Sequence, residues 1–236
     1  MIEITNLNKR FGESHVLKNI NLSIEAGKVT AIVGPNGSGK TTLIKSVLGL
    51  VKQTVGEILV DGENINGIFN YRNKIGYMPQ TAKYPDNLTT SEILSLVKDL
   101  RENRDSNSKE LIESFNLKGE LEKPFKNLSG GTKQKVSVLI SFAFDPQIYF
   151  LDEPTAGLDP ISSSYFKDLV AREKENKKTI VLTSHIMGEI QELADEIVFL
   201  LEGEIKFKGT ISSLLEHKKE TKLERAIAEL MGGGKH

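Results

Sequence analysis

The sequence predicts an α/β fold on a parallel sheet, and three observations predict it. A β-branched run, Val29-Thr30-Ala31-Ile32-Val33, passes through glycines 34, 37 and 39 into the helix-patterned segment Thr41 to Leu48. Two apolar runs, Ile148 to Leu151 and Thr179 to Leu182, flank a helical stretch from Pro160 to Asn176, the strand–helix–strand grammar of a parallel sheet. Between these, the chain from about Thr81 to Asp145 changes character and reads as mostly helical.

The elements follow in order. Ile2, Ile4 and Leu7, then Leu17, Ile20, Leu22 and Ile24, are spaced for two strands. Val29 to Val33 has the unbroken apolar character of a strand covered on both faces. Gly56 to Gly62 and Lys74 to Met78 read as further strands, the latter stopped by Pro79. Ser91 to Leu100 places Ile93, Leu94, Val97 and Leu100 on one helical face, and Asp86 to Thr89 with Ser91-Glu92 carries a helix-start signal. Lys109 to Leu117 and Lys133 to Phe144 are helix candidates. Glu196 to Phe207, bent at Glu202-Gly203, reads as a hairpin. Ile211 to Met231 reads as an amphipathic helical tail, and Gly232-Gly233-Gly234 as a frayed end.

Length and composition exclude several classes. The chain has 236 residues, 31 basic against 32 acidic, a formal charge of −1 and no cysteine. That length fits one α/β domain with an appended subdomain. No run reaches the roughly 18–20 apolar residues of a membrane span, and the N-terminus lacks the basic and apolar regions of a secretion signal, so an intracellular protein is expected. Without cysteine there is no disulfide framework, thiolate zinc site or catalytic thiol. The balanced charge argues against nucleic-acid binding through a basic surface. The runs Arg172 to Glu175 and Glu216 to Glu220 alternate in sign as solvated helix faces do.

Gly34-Pro35-Asn36-Gly37-Ser38-Gly39-Lys40-Thr41 fits the phosphate-binding pattern G-x-x-x-x-G-K-[ST] at every specified position. Glycines let backbone N–H groups converge on phosphate oxygens without side chains in the way, and a helix starting at Lys40 adds its unpaired amides. Lys40 is the point charge for the β- and γ-phosphates, and the Thr41 hydroxyl is a ligand for Mg²⁺. Asp152 and Glu153 end the apolar run that starts at Ile148, at the strand edge where parallel sheets place ligands. Asp152 then faces the Mg²⁺ and Glu153 polarises the attacking water. The alternative, a solvated pair at a turn before Pro154, would be preferred in a chain lacking the phosphate loop.

Further motifs stand in a fixed order. Tyr77-Met78-Pro79-Gln80 follows the loop; Leu128-Ser129-Gly130-Gly131-Thr132-Lys133-Gln134 precedes the Ile148 to Glu153 strand; Ala156-Gly157-Leu158-Asp159-Pro160 follows it; Thr183-Ser184-His185 ends the next strand. From residue 1 to 210 the set resembles the ATP-binding cassette (ABC) ATPases. The resemblance implies a P-loop NTPase core with a parallel sheet, an N-terminal antiparallel β subdomain and an inserted helical subdomain at about 81–145. An ATP-binding domain over 1–210 and a helical tail over 211–236 follow.

The resemblance also implies roles. Phe11 stacks on adenine with Val16 beside it, and Gly34, Pro35, Asn36, Gly37, Ser38, Gly39, Lys40, Thr41 and Thr42 bind ATP. Gln80 touches Mg²⁺ and the water, giving Thr41, Gln80 and Asp152 as metal residues. Glu153, Gln80 and His185 are the catalytic set, with His185 on the γ-phosphate. Leu128 to Thr132 is a signature turn whose Ser129, Gly130, Gly131 and Thr132 close on the ATP of a second copy, and Asp159 crosses that dimer interface. Thr132 departs from the family, which most often has Gln there. A bland reading stays open for several: a core Phe11, a capping His185, a turn residue at Gln80.

The expected activity is ATP hydrolysis with Mg²⁺, driving a separate transmembrane permease docked near residues 81–87, from the cytoplasmic face of the inner membrane. The tail, through Leu223 to Leu230, is similar to those of export-associated (ABC-2-like) members. Within them the chain is similar to the copper-processing ATPase of nitrous oxide reductase maturation. The four histidines, 15, 185, 217 and 236, have no metal-binding spacing. A soluble mechanochemical ATPase of translation or DNA repair is the alternative, although such relatives carry two cassettes or insertions. An inactive binding module is a third, disfavoured because every catalytic position is filled.

Overall fold

The computed structural model describes residues 1–101 and 107–232, so His236 and the glycines at 233 and 234 lie outside the described residues. The chain forms two compact units, Met1–Arg72 with the segment from Thr179 onward, and Asn73–Lys178.

The first unit opens with an antiparallel sheet. Strand β1 (Ile2–Phe11) pairs with β2 (Ser14–Ile24) on one side and β4 (Val55–Val60) on the other, with β5 (Glu63–Asn64) at the edge. Its buried residues Ile2, Ile4 and Leu7 break strict alternation, as do Leu17 and Ile20 opposite. Paired bulges explain both breaks: Asn6 and Asn19 each take a φ of +49°, where asparagine is tolerated. Asn21 Oδ1 accepts the Asn6 N–H at 2.9 Å and Asn8 Oδ1 accepts the Asn19 N–H at 3.0 Å. Each extra residue shifts the phase, so apolar side chains beyond it return to the core.

The same unit holds the strands around the phosphate loop. β3 (Val29–Val33) runs parallel to β8 (Thr179–Thr183) and to β9 (Glu196–Leu201), and β10 (Glu204–Gly209) closes the antiparallel hairpin with β9. All five residues of β3 are buried, as its unbroken apolar run requires. Helix α1 (Lys40–Val47) follows β3, and α6 (Met187–Leu193) follows β8. The tail is not one helix. It forms α7 (Ile211–Lys218) and α8 (Leu223–Leu230), because Lys219 takes a left-handed φ of +53° and ends α7. Leu214, Leu223 and Ala226 are nevertheless fully buried, so the apolar stripe is used by two short helices.

In the second unit β6 (Ile75–Met78) lies parallel to β7 (Ile148–Asp152), with Ile75 opposite Ile148. Helix α2 (Thr90–Leu100) begins with the expected cap: Thr89 and Glu92 form a reciprocal capping box. Ile93 is buried, but Leu100 is 71% exposed, correcting its assignment to the core face. Helix α3 (Ser108–Ser114) stops short of Leu117, because Asn116 turns the chain at φ +52°. Helix α4 (Gly130–Phe142) starts before Lys133, since Ser129 caps it. Helix α5 (Pro160–Glu175) follows β7, and Phe142 stacks on Tyr149 at 4.4 Å and meets Phe166 edge-on at 6.0 Å.

The charge run on α5 is not a wholly solvated face. Glu173 is 2% exposed; it accepts from the Tyr149 hydroxyl at 3.4 Å and lies 3.6 Å from Arg172 Nε. Arg172 also pairs with Glu110 of α3. Burial, then the neighbouring Glu173 charge, drives the Tyr149 phenol far above its ordinary range. No helix among the described residues is long and apolar enough to cross a membrane.

Candidate nucleotide site and signature turn

In the first unit, β3 delivers the chain into the loop 34–39 and α1 carries it away. Gly34 has no room for a side chain: a Cβ there would lie 2.0 Å from the Leu200 carbonyl oxygen. Gly39 takes φ +110°, and a Cβ would come within 2.9 Å of Leu17 Cδ2 and 3.1 Å of the Val16 carbonyl. Gly37, at φ +80°, meets nothing, so its glycine serves backbone conformation alone. Helix α1 has no side-chain cap and no acidic residue in its first turn, so the helix's own first turn sets no carboxylate against its positive end. Lys40 Nζ donates to the carbonyls of Gly34 at 2.7 Å and Pro35 at 3.1 Å, which holds the cation against the loop. The Ser38 hydroxyl is buried without a hydrogen-bond partner. A tight turn, a cation, an uncapped helix start and an orphaned hydroxyl together suit a polyphosphate.

A residue outside all the sequence motifs props this loop. Gly203, read only as a hairpin bend, donates its N–H to the Ser38 carbonyl at 3.0 Å and accepts the Lys18 N–H at 2.8 Å. Glycine between two strand patterns marks close backbone approach as well as bends; that was the available signal. Val16 is half-buried and its carbonyl borders Gly39. Phe11, at the end of β1, is 50% exposed with Lys9 Nζ 4.5 Å from its ring centre, so the core alternative for this ring fails. His185 is exposed after β8. The turn that holds it is pinned by Ser184, which accepts the Ile186 N–H at 3.0 Å and donates to Glu189 at 3.0 Å.

The second unit carries the remaining candidates. Asp152 is 2% exposed at the end of β7; burial, and then its charge, push the Tyr77 phenol up to about 12. Glu153 follows at φ +53°, a conformation costing a side-chain-bearing residue on the order of 1 kcal/mol. Gln80 is exposed beyond β6. At the signature turn Ser129 Oγ accepts the Thr132 N–H at 3.2 Å and lies 2.8 Å from the Thr132 hydroxyl. Gly131 packs so tightly that a Cβ would sit 2.8 Å from the Gly157 carbonyl.

Asp159 caps α5 through Ser162, whose N–H and hydroxyl reach it at 2.9 and 2.8 Å, and pairs with Lys135 at 2.7 Å. The Lys135 ammonium, followed by the Ser162 donors, holds the Asp159 carboxyl well below the usual carboxylate range. Within this unit α4 touches the segment after β7 at Gly131, at Lys135 and at Gln134, whose amide nitrogen donates to the Pro154 carbonyl at 2.9 Å.

The chain matches the ABC transporter family model over residues 17–156. It is 35% identical over 207 residues to the lantibiotic transport ATP-binding protein SrtF of Streptococcus pyogenes, covering 87% of this chain and 89% of that one. A solved ATP-binding subunit of an ABC transporter superposes with a TM-score of 0.92 at 27% identity, covering 98% of this chain and 99% of the other. A dimeric ATP-binding cassette in a post-hydrolysis state, bound to ADP and Pi, gives a TM-score of 0.81 at 28% identity, over 89% of this chain and 98% of that one.

Proposed function

This chain belongs to the ABC transporter family as an ATP-binding, ATP-hydrolysing subunit, and from that premise we propose that two copies close on two ATP molecules to power a separate transmembrane permease. The observation that carries this reading is the phosphate loop: Lys40 is clasped on the carbonyls of Gly34 and Pro35, beside a helix start left uncapped. Residues 34–42 would hold the triphosphate, with Phe11 against adenine and Val16 beside it.

Thr41, Gln80 and Asp152 are the residues proposed for Mg²⁺. A hydroxyl, an amide oxygen and a carboxylate are the oxygen donors a hard cation prefers. Bound there, the ion would neutralise phosphate charge. Glu153 polarises the attacking water and takes up its proton, and His185 steadies the γ-phosphate. Ser129, Gly130, Gly131 and Thr132 form the turn proposed to close on the partner's nucleotide, and Asp159 belongs to the same proposed dimer face. The chemistry asks the protein for positioning and charge rather than covalent steps.

For the transported class we propose an export or maturation system, copper handling included, with cargo selectivity residing in the permease. The kinship with a lantibiotic transport protein supports a transport role. The permease contact is proposed near residues 81–87, peripheral to the membrane on its cytoplasmic side; the exposed Leu96 and Leu100 of α2 offer apolar surface in the same unit. Substituting Glu153→Gln tests the core of this reading. ATP binding should persist, hydrolysis should fall by roughly 100-fold or more, and a nucleotide-bound dimer should accumulate. Hydrolysis at the wild-type rate, or no dimer with ATP, overturns it. Co-purification with ribosomes or DNA, and no integral membrane protein, would favour the soluble alternative.

A further inference from the structure

Gln134 lies in the second turn of α4 and is 6% exposed. Its side-chain nitrogen donates to two main-chain carbonyls, of Glu153 at 3.2 Å and of Pro154 at 2.9 Å. Carbonyls only accept, so the NH₂ end of the amide must face them. The Glu153 carbonyl also accepts the Ala156 N–H at 3.2 Å. Glu153 itself sits at φ +53°, where a residue with a Cβ stays only if its surroundings hold it.

We propose that Gln134 is a positioning residue for hydrolysis. Its amide clamps the two peptides around Glu153, holds that residue in its left-handed conformation, and so sets where the carboxylate points. The inference rests on the reading of Glu153 as the residue that polarises the attacking water. Packing alone would be served by any buried side chain of this volume, whereas a clamp on two carbonyls needs two N–H groups on one atom. The same helix carries Ser129 at its cap, and its other ties to this segment, Gly131 against Gly157 and Lys135 on Asp159, make the signature turn and the Glu153 loop one mechanical piece. A shift of the helix on contact with a partner's nucleotide therefore reaches Glu153 through Gln134.

The test is steady-state ATPase with Gln134→Leu in full-length protein, alone and combined with Glu153→Gln. Gln134→Met, of matched length, is used if the leucine variant does not fold. The expected result is a kcat roughly 10- to 100-fold lower, with KM and the affinity for a fluorescent ATP analogue within about twofold of wild type. In the Glu153→Gln background the second substitution should slow hydrolysis no further, since groups that act through one another are not additive. A kcat within twofold of wild type overturns the proposal, and so does an equal slowing in both backgrounds, which a merely structural role would give. Failure of the underlying reading looks different: Glu153→Gln alone would then hydrolyse at the wild-type rate.

Discussion

The Gly203 N–H donates to the Ser38 carbonyl at 3.0 Å, which joins the turn between β9 and β10 to the middle of the phosphate loop. Through its own carbonyl Gly203 also accepts from Lys18, so one glycine links the loop to β2. At φ +80°, with a Cβ due 2.3 Å from the Val16 carbonyl, no other residue fits without moving one of the three segments.

Gly203→Ala should therefore weaken ATP binding by roughly tenfold, the equivalent of about 1–2 kcal/mol of left-handed strain and lost backbone fit. Titration with a fluorescent nucleotide measures it. Unchanged affinity in a folded variant would show that the loop holds its shape without this prop.

At the signature turn, Ser129 Oγ already accepts the Thr132 N–H and meets the Thr132 hydroxyl at 2.8 Å. If Thr132 donates there too, both Ser129 lone pairs are used and its proton is free for phosphate. Thr132→Val should weaken ATP-driven dimerisation of the Glu153→Gln protein by roughly 3- to 10-fold, and Thr132→Ser should restore it. Light scattering against ATP concentration reads both, and equal behaviour of the two variants would refute the hydroxyl's role.

The Asp159 carboxyl titrates below its ordinary value because of Lys135 and then Ser162. A depressed folded-state pKa contributes stability that is fully present above the unfolded value, near 3.8, and is lost as pH falls through the lower folded value. The cap on α5 should thus persist across neutral and mildly acid pH. Carboxyl NMR should place the Asp159 inflection below 3.8, and Lys135→Ala should raise it. An inflection unmoved by that substitution would remove Lys135 as the main cause.

Glu173 is the acceptor for a buried tyrosine. Glu173→Ala should cost about 1–3 kcal/mol, the penalty for leaving the Tyr149 hydroxyl buried and unpaired, and adding Tyr149→Phe should recover part of it. Urea unfolding of the single and double variants would decide, with simple additivity counting against the bond.

Local chemistry determined the elements and the motifs. β3 could be read because both its faces are apolar, the loop after it because only glycine and lysine at that spacing make a phosphate nest, and α2 because Thr89 and Glu92 complete a cap within one turn. Each of these depends on neighbours in sequence, so each is written there. The bulges at Asn6 and Asn19, the break at Lys219 and the burial of Glu173 were not legible, because each is settled by partners far along the chain or by a backbone conformation that no pattern encodes. The same holds for Gln134 beneath Glu153, whereas Gly203 left only the general sign of close backbone approach, with nothing to name Ser38 as its partner. A main-chain carbonyl carries no residue identity, and a side chain that bonds one leaves no mark in the sequence until the fold brings the two together.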